Sequence, residues 1–179
     1  MKGLISVISA LEMKRLIILI SLFSATGFLA GQKPADYDDQ LKAMYKNSVP
    51  LITVDELSIE KNTNTGLILL DAREINEFRV CHIEGARCVG YNHFSIELMK
   101  DIPKDAEIVV YCSLGVRSEQ IGEKLKEAGY ENVKNLYGGI FEWKYQDQIV
   151  VDKKGNKTDK VHTYDENWSQ WLLKGEKVY

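Results

Sequence analysis

One cysteine has neighbours that favour nucleophilic chemistry. Cys112 opens the hexapeptide Cys-Ser-Leu-Gly-Val-Arg, which ends at Arg117. The apolar, β-branched run at 106–111 predicts a buried strand, and apolar residues at 121, 125 and 128 follow the spacing of a helix. Ser118 is expected to cap that helix and Gly129 to follow its end. The cysteine is therefore predicted on a strand–helix loop, where open α/β sheets bind ligands.

This placement predicts a reactive thiolate. The N–H groups at a helix N-terminus carry partial positive charge, so together with Arg117 they should help Cys112 to lose its proton. Gly115 should let the backbone at 113–118 turn its N–H groups inward as an anion-binding nest. The alternative is a buried structural cysteine, since free cysteine is among the most buried residue types.

Four sequence motifs, in order, resemble those of rhodanese (thiosulfate sulfurtransferase) domains. They are Leu-Leu-Asp-Ala-Arg at 69–73 with Glu-Phe at 77–78, His-Ile-Glu-Gly-Ala at 82–86, Cys-x-x-Gly-x-Arg-Ser at 112–118, and Leu-Tyr-Gly-Gly at 136–139 with Trp143. The resemblance covers residues 50–145. It implies a rhodanese-like α/β fold, with a central parallel five-stranded sheet and helices on both faces. The alternation of predicted strands and helices agrees with such a sheet.

The resemblance also implies an activity. The Cys112 thiolate would take the outer sulfur of a donor such as thiosulfate, hold it as a persulfide, and pass it to a thiol or cyanide. This chemistry needs no metal and no organic cofactor. The loop expected to bind the substrate consists of Ser113, Leu114, Gly115, Val116, Arg117 and Ser118.

The expected partners follow from this chemistry and from the charge. They are a small sulfur-containing anion and a thiol acceptor, with a redox protein as a further candidate. The net charge of −3 gives no support for a nucleic-acid partner. A membrane would be a partner only if the N-terminal segment stays uncleaved.

Charged residues and a histidine near the predicted site are interpreted as structural. Asp71 and Arg73 follow the apolar run at 67–70, at the same rim of a parallel sheet as Cys112. Support of the loop is favoured over substrate contact for both, as the resemblance also implies. His82 is interpreted as a structural histidine rather than a general base, and neither His93 nor His162 lies in a recognised motif.

Two alternative functions belong to other classes. Related cysteine phosphatases place a longer loop between cysteine and arginine, whereas four residues separate Cys112 from Arg117. The shorter loop suits a sulfur atom better than a tetrahedral oxyanion. A non-enzymatic persulfide carrier, or a partner-binding module, would retain the same cysteine.

The other two cysteines depart from the family pattern. Cys81 and Cys88 flank the motif at 82–86, where the family more often has glycine and asparagine. Three cysteines leave at least one thiol unpaired within the chain. Cys81 and Cys88 could bridge one another, remain small half-buried residues, or supply a resolving thiol for Cys112.

The N-terminus has the pattern of an export signal. Basic residues at 14–15, an apolar run at 16–23 and small residues at 24–27 predict a signal peptide over residues 1–30, with Met13 as a candidate true start. The alternative is an uncleaved anchor facing the periplasm, but the run at 16–30 is shorter than the roughly 20 residues that span a bilayer. The chain is expected in the periplasm.

Two segments flank the family resemblance. Residues 31–49 predict a helical segment with Tyr37, Leu41, Met44 and Tyr45 on one face. The C-terminal extension, residues 146–179, predicts a hairpin-like turn at 152–157 and a final helix capped by Asp165. That helix is expected to dock on the domain through Trp168, Trp171 and Leu172.

Overall fold

A parallel five-stranded sheet forms the centre of the fold. The computed structural model describes residues 33–179, and the predicted signal peptide at 1–30 lies outside them. The sheet and its helices confirm the predicted fold class. The strands of the sheet are β1 (Leu51–Ile52), β2 (Ile68–Asp71), β3 (Arg87–Cys88), β4 (Glu107–Tyr111) and β5 (Asn132–Leu136). They lie in the order β1-β5-β4-β2-β3.

Helices cover both faces of this sheet. Along β4 the side chains alternate, so Val109 and Tyr111 join one hydrophobic core and Ile108 and Val110 join the other. The helices are α1 (Tyr37–Ala43), α2 (Val54–Thr63), α3 (Ile75–Val80), the 3₁₀ helix (Ile96–Met99), α4 (Val116–Glu127) and α5 (Gly139–Tyr145). The first core receives α1, α2 and α5, and the second receives α4 and the 3₁₀ helix.

Element boundaries differ from the sequence expectations at the loop after β4. Helix α4 begins at Val116, with Gly115 at the N-cap position and a φ of 102°, so Ser118 lies inside the helix. The expectation that Ser118 caps it was wrong, because the loop closes through the left-handed Gly115, three residues before Ser118. Gly129 does follow the helix end, with a φ of 88°.

The C-terminal extension folds as two small two-stranded sheets and one short helix. Strands β6 (Val150–Val151) and β7 (Lys157–Thr158) are antiparallel, whereas β8 (Lys160–His162) and β9 (Glu176–Val178) are parallel. Helix α6 (Glu166–Ser169) is capped by Asp165, whose Oδ1 accepts the Trp168 N–H at 3.1 Å.

Helix α6 is shorter than the sequence predicts. It ends at Ser169, so Trp171 and Leu172 follow it, and the expectation of one continuous helical face was wrong. The C-terminal extension packs against the rest of the fold without such a helical face. The Trp171 ring packs against Tyr37 at 5.2 Å between centroids, and Leu172 is buried. Within residues 33–179, no helix combines the length and the apolar character needed to cross a bilayer.

Candidate active site

Cys112 lies directly after β4 and faces the first turn of α4. Its Sγ accepts a hydrogen bond from the Gly115 backbone N–H at 3.1 Å, although the residue is only 2% exposed. The first intrahelical bond runs from the Glu119 N–H to the Gly115 carbonyl at 3.0 Å. The Gly115 N–H therefore lies beside this sulfur at the N-terminal end of α4, which is the positive end of the helix dipole.

The N-terminus of α5 holds the backbone of the loop between β4 and α4, called the cysteine loop below. The Ile140 N–H donates to the Cys112 carbonyl at 2.9 Å, and the Phe141 N–H donates to the Ser113 carbonyl at 3.2 Å. Gly139 has a φ of 56°, and a Cβ there would overlap the Cys112 carbonyl oxygen. Gly139 is therefore required so that the two backbones can approach each other.

Tyr45 supports the loop from outside the family resemblance. Its hydroxyl donates to the Leu114 carbonyl at 2.5 Å and accepts the Gly138 N–H at 2.9 Å, so one side chain joins the cysteine loop to the start of α5. A Cβ on Gly115 would overlap the Tyr45 hydroxyl. Sequence reasoning placed Tyr45 on a packing face only, and no local motif signals its role.

A second buried bridge joins β5 to the loop. The Ser118 hydroxyl donates to Asn135 Oδ1 at 2.7 Å, and Asn135 Nδ2 donates to the Gly115 carbonyl at 2.9 Å. Both side chains are fully buried. Ser118 therefore positions the loop backbone and does not line the pocket above Cys112.

Arg117 forms a bidentate ion pair with Glu77 of α3. Both guanidinium–carboxylate distances are 2.8 Å, and Nη2 also donates to the Ser113 hydroxyl at 3.1 Å. Burial raises the pKa of Glu77, but the hydrogen bonds and charge of Arg117 outweigh it and lower the pKa below its usual value. The positive charge of Arg117 is thus compensated before any ligand enters.

Asp71 and Arg73 form a fully buried ion pair at the carboxyl end of β2. Arg73 Nη2 lies 2.7 Å from Asp71 Oδ2 and donates to the Cys81 carbonyl at 2.6 Å. The Ala72 N–H between them donates to the Tyr111 carbonyl at 2.8 Å. Neither side chain lines the pocket, so the pair braces the strand that precedes Cys112.

A pocket of about 250 Å³ opens above the cysteine. Four of the six predicted loop residues line it, namely Ser113, Leu114, Val116 and Arg117, together with Cys112 itself. The remaining walls are Tyr91, Asn92, Thr163, Tyr164 and Trp168. The last three belong to the C-terminal extension. Sequence reasoning assigned Trp168 to packing and did not identify this wall, because it depends on how β8 and α6 fold back over the loop.

All three thiols are free in the structure. Cys81 belongs to the core on the α1 side of the sheet, whereas Cys112 belongs to the core on the α4 side. Burial raises the pKa of both Cys81 and Cys88, so neither has the environment of a readily ionised thiol. Cys88 Sγ instead faces the Arg73 carbonyl at 3.7 Å.

The histidines occupy structural surroundings. His82 stacks on Phe78 at 3.8 Å between ring centroids, and its Nδ1 lies 3.0 Å from the Phe78 carbonyl. His162 Nδ1 accepts the Tyr164 N–H at 3.0 Å, next to the pocket wall. Burial lowers the pKa of His162 below its usual value. Within residues 33–179, no group of His, Cys, Asp or Glu has an arrangement that could hold a metal ion.

Comparison with known proteins gives one family. The model of the rhodanese-like domain matches residues 53–146. The "Probable adenylyltransferase/sulfurtransferase" of Mycobacterium tuberculosis is 35% identical over 98 residues, which are 54% of this chain and 25% of that protein. A sulfurtransferase of Allochromatium vinosum is 42% identical over 57 residues, 32% of this chain and 53% of that protein. The chain thus spans between a quarter and about half of these relatives.

A solved structure agrees at the level of the fold. The thiosulfate sulfurtransferase of Pseudomonas aeruginosa superposes with a TM-score of 0.57 at 16% identity. The alignment covers 76% of this chain and 26% of that one. Two parts of the site that sequence reasoning missed, Tyr45 and the wall from the C-terminal extension, lie outside the matched residues 53–146.

Proposed function

Because the chain belongs to the rhodanese-like domain family, we propose that it transfers a sulfane sulfur through a persulfide on Cys112. The observation that carries this proposal is the position of Cys112, which lines the pocket and whose Sγ accepts the Gly115 N–H at 3.1 Å. A sulfur anion needs such a donor in place before the reaction begins.

The first half-reaction loads the enzyme. The Cys112 thiolate attacks the outer sulfur of a donor such as thiosulfate, the Sγ–S bond forms, the donor S–S bond breaks, and sulfite leaves with the electron pair of that bond. The terminal sulfur then carries the negative charge. The Gly115 N–H and the first turn of α4 lie close enough to stabilise the charge near Sγ.

The second half-reaction restores the thiolate. A thiolate or cyanide acceptor attacks the terminal sulfur, the Sγ–S bond breaks, and its electron pair returns to Cys112. The N–H groups of Ile140 and Phe141 hold the loop backbone in place for this step, through the carbonyls of Cys112 and Ser113. No proton transfer from a histidine is required.

The loop itself supports sulfur transfer over phosphate hydrolysis. Its guanidinium, Arg117, is bound at both nitrogens by Glu77 at 2.8 Å and does not offer its fork to a ligand. A phosphatase needs that fork for the equatorial oxygens of its substrate. The carrier alternative keeps the same persulfide and differs only in its acceptor, which would be one protein rather than a small thiol.

The test combines intact mass with turnover. Incubation with thiosulfate should add one sulfur atom to the protein, cyanide should remove it, and many cycles should follow. Cys112→Ser should lose both loading and turnover, whereas Cys88→Ser, a matched change of a thiol outside the pocket, should keep both. Turnover in Cys112→Ser would overturn the proposal. Loading by thiosulfate without release to any small acceptor would indicate the carrier.

Export is proposed on the N-terminal sequence alone. The basic, apolar and small-residue pattern at 1–30 favours cleavage and release to the periplasm. Expression of the full chain in a Gram-negative host, followed by N-terminal sequencing of the periplasmic fraction, should give a start near residue 28 or 31. Recovery of an uncleaved chain in the membrane fraction would instead indicate the anchor.

A further inference from the structure

The pocket above Cys112 is built from two parts of the chain. Its floor is the cysteine loop inside the family domain, and one wall comes from the C-terminal extension through Thr163, Tyr164 and Trp168. The family model ends at residue 146, so this wall belongs to the chain's own addition to the domain. Side chains of the extension therefore line the pocket above Cys112 that the donor must enter.

Several bonds fix the wall in place. The Thr163 N–H donates to the Val178 carbonyl at 2.9 Å, and the Tyr164 N–H donates to His162 Nδ1 at 3.0 Å. Tyr164 has a φ of 72°, an unusual conformation for a bulky residue, and its ring lies 5.6 Å from the Arg117 guanidinium. The Asp165 side chain caps the helix that carries Trp168.

The character of the pocket is aromatic and apolar. Leu114 and Val116 face it from the loop, and Tyr91, Tyr164 and Trp168 contribute aromatic rings. The Tyr91 hydroxyl is already bonded to Gln120 at 2.6 Å. Trp168 remains 40% exposed, an apolar surface that a ligand could cover.

Charge in the pocket is balanced. Among the pocket-lining residues in the described part of the chain, Arg117 alone is charged, and Glu77 neutralises it. A dianion such as thiosulfate would lose hydration on entry without meeting an uncompensated cation. A donor that bears an organic group would instead bury that group against the rings.

We propose that the donor of this enzyme carries an apolar organic group, and that Trp168 and Tyr164 select for that group. This inference rests on the proposed sulfur transfer and refines its substrate class. The reaction for an organic thiosulfonate is balanced: the Cys112 thiolate attacks the terminal sulfur, the Sγ–S bond forms, the S–S bond of the donor breaks, and an organic sulfinate leaves with its electron pair. No oxidant or reductant is consumed.

Three anionic donors that differ in one group provide the test. Benzenethiosulfonate, methanethiosulfonate and thiosulfate present a phenyl, a methyl and an oxide beside the same transferable sulfur. The rate of persulfide formation on Cys112 gives kcat/KM for each donor. The phenyl donor should exceed the methyl donor by at least about tenfold, the lower end of what a hydrophobic pocket gives for a single methylene.

Variants test whether Trp168 produces the selectivity for the phenyl donor. Trp168→Ala should reduce the phenyl-to-methyl ratio towards one, and Trp168→Phe should restore much of it. Tyr179→Ala removes an aromatic ring that is 63% exposed and does not line the pocket, and it should leave the ratio unchanged. Because Trp168 is 40% exposed, the loss of its indole should leave the fold intact.

The outcomes separate this inference from the proposed function. If none of the three donors adds sulfur to Cys112, the proposed sulfur transfer itself fails. If all three load and the phenyl-to-methyl ratio of the native protein is near one, sulfur transfer holds and the organic donor class is wrong. If the ratio is high but unchanged in Trp168→Ala, the selective wall is not the one identified.

Discussion

Tyr45→Phe removes one hydroxyl that holds two loops together. The change leaves the ring in place but deprives the Leu114 carbonyl of its donor and the Gly138 N–H of its acceptor, at 2.5 and 2.9 Å. Each buried hydrogen bond lost in this way costs about 1–1.5 kcal/mol, so we expect a loss of about 2–3 kcal/mol in the free energy of unfolding. For a chain of this size the melting temperature should fall by about 5–10 °C.

The measurement is urea or thermal unfolding followed by tryptophan fluorescence, with the rate of sulfur loading measured in parallel. Loading should slow as well, because Leu114 and Gly115 belong to the loop that presents the Cys112 sulfur. Tyr137→Phe is the matched control. Its hydroxyl donates to Asp38 at 2.8 Å in a half-buried setting where water can replace it, so a loss below about 1 kcal/mol is expected. Equal losses of unfolding free energy in the two variants would refute the role of the Tyr45 hydroxyl in joining the cysteine loop to the start of α5.

Three further predictions concern residues around this loop and its pocket. Gly139→Ala should abolish sulfur loading and destabilise the fold, because a Cβ overlaps the cysteine carbonyl; a stable, active variant would contradict the close approach. Glu77→Gln should lose about 2–4 kcal/mol of stability in denaturant unfolding, since it leaves Arg117 uncompensated. The same variant should raise the use of thiosulfate relative to methanethiosulfonate, and an unchanged ratio would mean that the arginine charge does not reach the pocket. Because burial lowers the pKa of His162, its contribution to stability is complete above about pH 6.5 and declines as the pH falls through the lowered folded-state pKa. Stability measured from pH 7.5 to 4.5 should show this decline, and His162→Gln, which still offers Tyr164 an acceptor, should reduce it.

The sequence was sufficient to predict the strand, the loop and the helix around Cys112. Its signals are local: a β-branched run, a glycine that can take a positive φ, and a helical spacing. A threonine followed three residues later by a glutamate, Thr53 and Glu56, is the sequence signature of a capping box. The structure contains this capping box, and the Glu56 N–H donates to the Thr53 hydroxyl at 3.3 Å.

Long-range contacts could not be predicted from such signals. Tyr45 and Leu114 lie 69 residues apart, and Arg117 and Glu77 lie 40 apart. Neither pair follows from propensity or periodicity, since each depends on which elements the sheet topology brings together. The pocket wall from Trp168 was missed for the same reason.

Tyr45 and Trp168 also set the size of the functional unit. A fragment cut at residues 53 and 146, where the recognisable domain begins and ends, would keep Cys112 but lose both the Tyr45 brace of its loop and the aromatic wall of its pocket. Grafting experiments should therefore transplant the cysteine loop and its two flanks as one piece. Under the proposed function, replacing the tail alone offers a route to new donor preferences that leaves Cys112 untouched.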